Sequence, residues 1–184
     1  MFAYHVDNQI DLALPRPEID SPALFSLIVA SRKKLVAWLP WVLKIKSAED
    51  ELTFLKSVCQ HYGEGKSLNT VIYYENQPAG MISFNKFKKT DQSADIGYWL
   101  GNKFTKKGIM QRSVKAMCQL GFNDYQLNKI VINAAVENQP SNHVAQSCSF
   151  HFDGVLRANE YLIDGHFHDE NHWSLLKSEW EQRK

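Results

Sequence analysis

The chain has 184 residues, of which 44% are hydrophobic and 22% charged, a size and mix suited to one ordinary globular domain with a substantial core. A formal charge of +1 at pH 7 sets up no broad basic field, which disfavours direct nucleic-acid binding, and no apolar run reaches the roughly 20 residues of a bilayer span. Three cysteines, Cys59, Cys118 and Cys148, lie far apart without metal-ligand spacing, and their odd number completes no disulfide framework, so a reducing cytoplasm is the expected compartment.

No composition break or internal repeat divides the sequence, and residues 1–184 read as a single domain. Residues 10–14 alternate like a first strand before Pro15 and Pro17 interrupt them. Ser21-Pro22 reads as the cap and first position of a helix carrying Leu24, Leu27, Ile28 and Ser31. A second helical stretch carries Leu35 and Trp38 and ends before Pro40. Ser47 to Asp50 is a capping signal for a longer helix to about Tyr62, with Leu52, Leu55, Val58 and Cys59 facing inward. Residues 70–74 and 80–87 are rich in β-branched and aromatic side chains, with a turn expected at Asn76-Gln77-Pro78, and residues 94–100 complete a three-stranded meander.

After Trp99-Leu100 the alternation stops, and Lys106-Lys107-Gly108 lead into an apolar stripe at Met110, Val114, Met117 and Gly121 with helical spacing. A helix therefore begins near residue 107. Its first N–H groups lack intrahelical partners, and with the helix dipole and two lysines they make an anion site that suits a pyrophosphate. Residues 129–136 predict a buried strand, 140–148 a short helix, and 150–164 with 167–176 a long hairpin turned at Asp164-Gly165. The fold class is α+β: a mixed, mostly antiparallel sheet with helices on both faces.

Four segments occur in a telling order: Ile96-Gly97-Tyr98-Trp99-Leu100; Gly108-Ile109-Met110; Asn138-Gln139-Pro140-Ser141-Asn142 with Val144-Ala145; and Glu160-Tyr161-Leu162 followed by Asp164-Gly165 and His168-Asp169. They resemble the GNAT superfamily of acyl-CoA N-acyltransferases. Within it the likeness is to the RimJ/RimL type, and most to its branch that acetylates the serine N-terminus of a ribosomal protein. The resemblance implies acetyl-CoA as donor, coenzyme A as product, and direct attack by a primary amine in a ternary complex. It also implies a homodimer, no metal, and a cofactor held between splayed strands 96–100 and 130–136. Tyr98, Trp99, Leu100, Lys106, Lys107, Gly108, Ile109, Met110, Asn138 and Ser141 are implied cofactor contacts. Glu160 would be the general base and Ser141 the general acid, with Trp41, Tyr98 and Glu160 in the acceptor groove.

Gly97 permits a bulge that would spread the strands, or is an ordinary packing glycine. Asn138 and Ser141 suit helix capping as well as cofactor contact, and Glu160 suits a solvated strand carboxylate as well as a base. His166, His168 and His172 share parity, yet the resembled family needs no metal. Two positions depart from the family pattern, with Lys106 and Ser149 standing where relatives carry glycine. If the loop at Lys106 needs a left-handed backbone, lysine there costs about 1 to 2 kcal/mol. Two other readings follow: a small-amine acceptor such as a polyamine, amino sugar or antibiotic, or a non-catalytic CoA-binding regulatory module.

Overall fold

Alternating apolar side chains build the strands, and 3.6-residue stripes build the helices, of a computed structural model that describes residues 2–182. The elements run β1 (Ala3–His5), β2 (Ile10–Ala13), α1 (Pro17–Leu35), α2 (Ala48–Gly63), β3 (Leu68–Tyr74), β4 (Gln77–Lys88) and β5 (Ser93–Leu100). They continue with α3 (Ile109–Asn123), β6 (Lys129–Ala135), α4 (Gln139–Ser147), β7 (His151–Tyr161), β8 (Phe167–Leu176) and α5 (Lys177–Glu181). Eight strands form one sheet in the order β1-β2-β3-β4-β5-β6-β8-β7. Only the β5–β6 pairing is parallel; the other neighbours are antiparallel. The expected α+β class with a mostly antiparallel sheet is what forms.

Local differences have identifiable causes. Helix α1 begins at Pro17, ahead of the expected Ser21-Pro22 start, because Pro17 presets φ at the first position and the buried Asp20 carboxylate accepts the Arg16 N–H at 2.7 Å. The stretch with Leu35 and Trp38 is no second helix: α1 runs on to Leu35, and the following turn Pro40–Leu43 is pinned where Arg32 donates to the Val42 and Ile45 carbonyls. The β3–β4 turn falls on Glu75 and Asn76, both left-handed, one residue ahead of the expected turn, as a two-residue hairpin requires. The Ser47–Asp50 capping box at α2 forms as expected. Strand β1 and helix α5 have too few residues to show in a periodicity.

Strand parity assigns the helices to the two sheet faces. On β5 the Tyr98 hydroxyl reaches α4, whereas the Trp99 ring lies edge-on to Trp41 beyond α1, at 6.4 Å between centroids. Helix α3 packs closely on the first face: a Cβ on Gly121 would lie 2.8 Å from Ile130 and 2.9 Å from Phe84. Met110, Val114 and Met117 are buried there, each contributing roughly 1.5–3 kcal/mol through apolar burial.

One buried charge works against this core. Glu51, in the first turn of α2, is 1% exposed, and neither carboxylate oxygen has a hydrogen-bond partner among the described residues. Burial pushes its carboxyl up from 4.5 to about 7. A group that holds its proton more tightly when folded adds stability that is complete below the unfolded pKa and is lost as pH climbs through the folded one. Stability should therefore fall between pH 4.5 and about 7 by an amount of order 3 kcal/mol. Chemical denaturation across that window should show the slope, and Glu51→Gln should reduce it; an unchanged slope in the variant would assign the loss elsewhere.

Candidate active site

The site starts where β5 and β6 part. The two strands pair only at Ser93, Ala94 and Asp95, opposite Lys129, Ile130 and Val131. Beyond that point β5 stays bonded to β4 as far as Leu100, and β6 to β8 as far as Ala135. The edges of residues 96–100 and 132–135 that face each other are thus left without a ladder. A cavity of about 930 Å³ fills the gap, within the range of cofactor sites. Unpaired strand edges offer backbone donors and acceptors to an extended amide-bearing chain, as in strand addition.

At one end of the gap sits the tip of α3. Gly108 caps it in a left-handed conformation (φ 69°), with no side chain hydrogen-bonded across the cap. The first N–H groups of α3 are thereby open to an anion. Lys106 is also left-handed, at φ 62°, and so is Ser149 after α4, at φ 61°. Both positions keep the backbone shape that glycine adopts easily, so the two departures are paid in strain rather than in a reshaped loop.

Helix α4 brings the sulfur-side groups. The Asn138 side chain caps it by accepting from the Ser141 N–H at 3.3 Å. The Ser141 Oγ lies 2.8 Å from the Tyr98 hydroxyl across the gap. Burial pushes the Tyr98 phenol far above its ordinary value, so this hydroxyl keeps its proton at neutral pH. Asn142, buried next to Ser141, donates to the Ala135 and Asn138 carbonyls and accepts from Asn171 and from the Trp173 indole. It ties α4 to β6 and β8 and so fixes the Ser141 position.

The hairpin supplies the acids. Leu156 pairs with Glu170 and Glu160 with His168, so Arg157, Ala158 and Asn159 bulge opposite Asp169 alone. The left-handed Ala158 donates its N–H to Asp169 Oδ1 at 2.7 Å, which pins the bulge. Glu160 and Glu170 both line the cavity. Burial, then the neighbouring Glu170 carboxyl, lifts Glu160 from 4.5 to about 7, while His168 pulls the other way. Hydrogen bonding to Asp164 raises the His168 imidazole.

The structure gathers Tyr98, Trp99, Leu100, Lys106, Gly108, Ile109, Met110, Asn138, Ser141 and Glu160 around one cavity. Two of the expected residues stand outside its lining. Lys107 turns its ammonium over the Tyr74 and Phe104 rings, 5.3 and 5.9 Å from their centroids. Trp41 stacks on Phe54 and packs against Trp99, while Trp38 takes the place at the cavity wall. No bulge occurs at Gly97, which pairs with Ser83 in regular register; the irregularity lies in β4 between Phe84 and Phe87. Gly97 instead makes room for the Asn85 amide, which a Cβ would approach to 2.7 Å, and Asn85 bonds Asp95. Of the three histidines, His166 sits in the hairpin turn, His168 bonds Asp164, and His172 bonds Asn133. Sequence reading missed Glu170 and gave Asn142, though part of the quoted motif, no role of its own; only the fold reveals that both are buried.

Residues 10–151 match the family model described as an acetyltransferase (GNAT) domain. The chain belongs to the GNAT acetyltransferase family. YdaF of Bacillus subtilis (strain 168) is 30% identical over 185 residues, covering 100% of both chains. The ribosomal-protein-serine acetyltransferase of Escherichia coli (strain K12) is 29% identical over 143 residues, 78% of this chain and 80% of that one. RimL, a ribosomal L7/L12 alpha-N-protein acetyltransferase solved with coenzyme A, superposes with a TM-score of 0.90 at 28% identity, over 95% of this chain and 97% of RimL. The Microcin C7 self-immunity acetyltransferase MccE, solved with acetyl-CoA and AMP, superposes at 0.88 with 28% identity, over 93% and 94% of the chains. This GNAT protein is an acetyltransferase with acetyl-CoA as its donor, and the open strand edges and the free N–H groups at the α3 tip fit that molecule's amides and pyrophosphate.

Strain at the left-handed Lys106 is measurable. Lys106→Gly should raise folding stability by about 1 kcal/mol, since glycine carries no left-handed penalty. Equilibrium denaturation would show it, and a loss of stability in the variant would contradict the strain.

Proposed function

We propose that this acetyltransferase acts on the α-amine of a protein N-terminus, a ribosomal protein being the first candidate. Glu160 takes a proton from the incoming ammonium, and Ser141 gives one to the leaving sulfur. The observation that carries the reading is that these groups approach one cavity from opposite sheet faces. Ser141 sits on α4, the helix that the Tyr98 hydroxyl reaches. Glu160 shares a face with Glu170, which pairs with Ala135, and by strand parity with Asp95 on the Trp99 side of β5. Acceptor and donor can therefore meet in the gap without displacing one another, as direct attack in a ternary complex requires. Bound acetyl-CoA supplies the thioester. An α-amine with an ordinary pKa of about 7.7–8.0 needs only a modest base, and a carboxylate near 7 is well matched to it.

The decisive measurement is coenzyme A release with acetyl-CoA and a serine-starting peptide, alongside intact-mass analysis of ribosomal proteins. Glu160→Gln should lower kcat/KM about 100-fold or more, and in the wild type kcat/KM should rise through about pH 7 as Glu160 loses its proton. Full activity in Glu160→Gln would remove Glu160 from the mechanism. Asp95, Glu160 and Glu170 together also suit a cationic small amine such as a polyamine, and turnover of polyamines but no peptide in an acceptor panel would replace the protein acceptor. Absence of turnover with every peptide and amine in the panel would overturn both acceptors.

The proposal includes a homodimer in the cytoplasm. Strand β7 is an exposed sheet edge, with Phe152 45%, Val155 47% and Leu156 37% exposed, and Tyr161 and Phe167 extend this apolar surface at the hairpin end. An unprotected apolar edge of this kind invites pairing with a second copy. Sedimentation velocity should report a dimer that Val155→Lys weakens; a monomer at high concentration would refute the assembly.

A further inference from the structure

Glu170 is the most buried of the charged side chains that line the cavity, at 7% exposure. Its place is set from three sides: Ala135 of β6 and Leu156 of β7 pair with it, and the Asn159 side-chain amide donates to its Oε2. The bulge at residues 157–159 then returns β7 to register at Glu160, so both carboxyls project from adjacent strands on the same sheet face. They stand within hydrogen-bonding reach of each other. Two carboxylates cannot hydrogen-bond without a proton between them, and ionising both at this separation is strongly disfavoured.

We propose that Glu160 and Glu170 act as one acid–base pair sharing a single proton, with Glu170 as the positioning residue that holds Glu160 aimed into the gap and sets when it ionises. The inference rests on the reading of Glu160 as the base. The shared proton leaves the pair at about pH 7, and the ionised pair then faces a cationic acceptor. The ammonium gives one proton to Glu160, and the pair returns from no proton to one. The freed nitrogen lone pair forms the C–N bond as the C–S bond breaks; Ser141 delivers its proton to sulfur and is restored by the second nitrogen proton. The pair then loses this proton to solvent. Other charged groups around Glu160 are His168 on β8, bonded to Asp164 and 3.5 Å from Glu137, with Asp95 of β5 and Lys34 of α1 on the cavity wall. His168 favours the ionised form of Glu160, so it opposes the effect of Glu170 rather than causing it.

The test follows carboxyl titration directly, by carbon NMR of enzyme labelled at glutamate Cδ, in a Glu51→Gln background that removes the other high-titrating glutamate. The parent should show one glutamate titrating near neutrality, and Glu170→Gln should move it down by about one pH unit or more. The acid limb of kcat/KM for the serine-starting peptide should shift equally. A Glu160 resonance that still titrates near neutrality in Glu170→Gln overturns the pair. An acid limb that persists in Glu160→Gln instead overturns the assignment of Glu160 as base, so the two failures are distinct. Glu170→Asp, which keeps the charge but shortens its reach, should restore part of the shift.

Discussion

The proposed site depends on the early end of one ladder. Parallel strands β5 and β6 share three residue pairs and then separate. The separation persists because each strand is held by a different neighbour: β5 stays in register with β4, and β6 with β8. An opened ladder normally leaves backbone groups unsatisfied, at a cost of about 1–3 kcal/mol for each one that is buried and dry. Here the gap opens into a cavity of about 930 Å³, large enough for the edge groups to be satisfied by water or by a ligand with its own amides. The same feature that would be a defect in a core strand leaves free donors and acceptors facing a cavity at this position.

Because the gap passes through the sheet, it can be served from both faces. The α4 face contributes Ser141, immobilised through its cap by Asn138 and through the fully bonded Asn142 next to it. The opposite face contributes the hairpin acids, aimed by a bulge that Asp169 holds open. Both devices use side-chain amides or carboxylates on backbone groups, so their geometry belongs to the scaffold and not to mobile loop tips.

Legibility in the sequence followed the range of the forces involved. Elements set by local periodicity and capping stood out, as with the Ser47–Asp50 box of α2 and the Met110–Val114–Met117 stripe of α3. The start of α1 was misplaced because a carboxylate four residues downstream, Asp20, caps Arg16 and binds Tyr73, a partner 53 residues away. The same limit applies to the site. Its ordered motifs marked Tyr98, Gly108, Ser141 and Glu160, whereas Glu170 looked like any strand carboxylate until strand pairing set it beside Glu160. Trp38 and Trp41 lie three residues apart, and no local rule says which ring faces the cavity and which stacks on Phe54.

The tip of α3 shows how sequence and function trade against one another within this frame. Lys106 occupies a left-handed position that glycine would fill without strain, at a cost of about 1 kcal/mol or more. In return the loop carries a cation at the cavity wall beside the open N–H groups of α3, where an anion would lie. Lys107, one residue on, is held over Tyr74 and Phe104 and serves packing instead. The favourable Coulomb energy of one exposed cation beside a phosphate is itself about 1 kcal/mol, rising where solvent is excluded. Strain and attraction are thus of similar size, so replacing the loop glycine by lysine can leave the free energy of the donor-bound protein almost unchanged. On the proposed reading of the site, lysine here would move part of donor binding from backbone geometry to charge, and a larger share of donor affinity would become sensitive to salt.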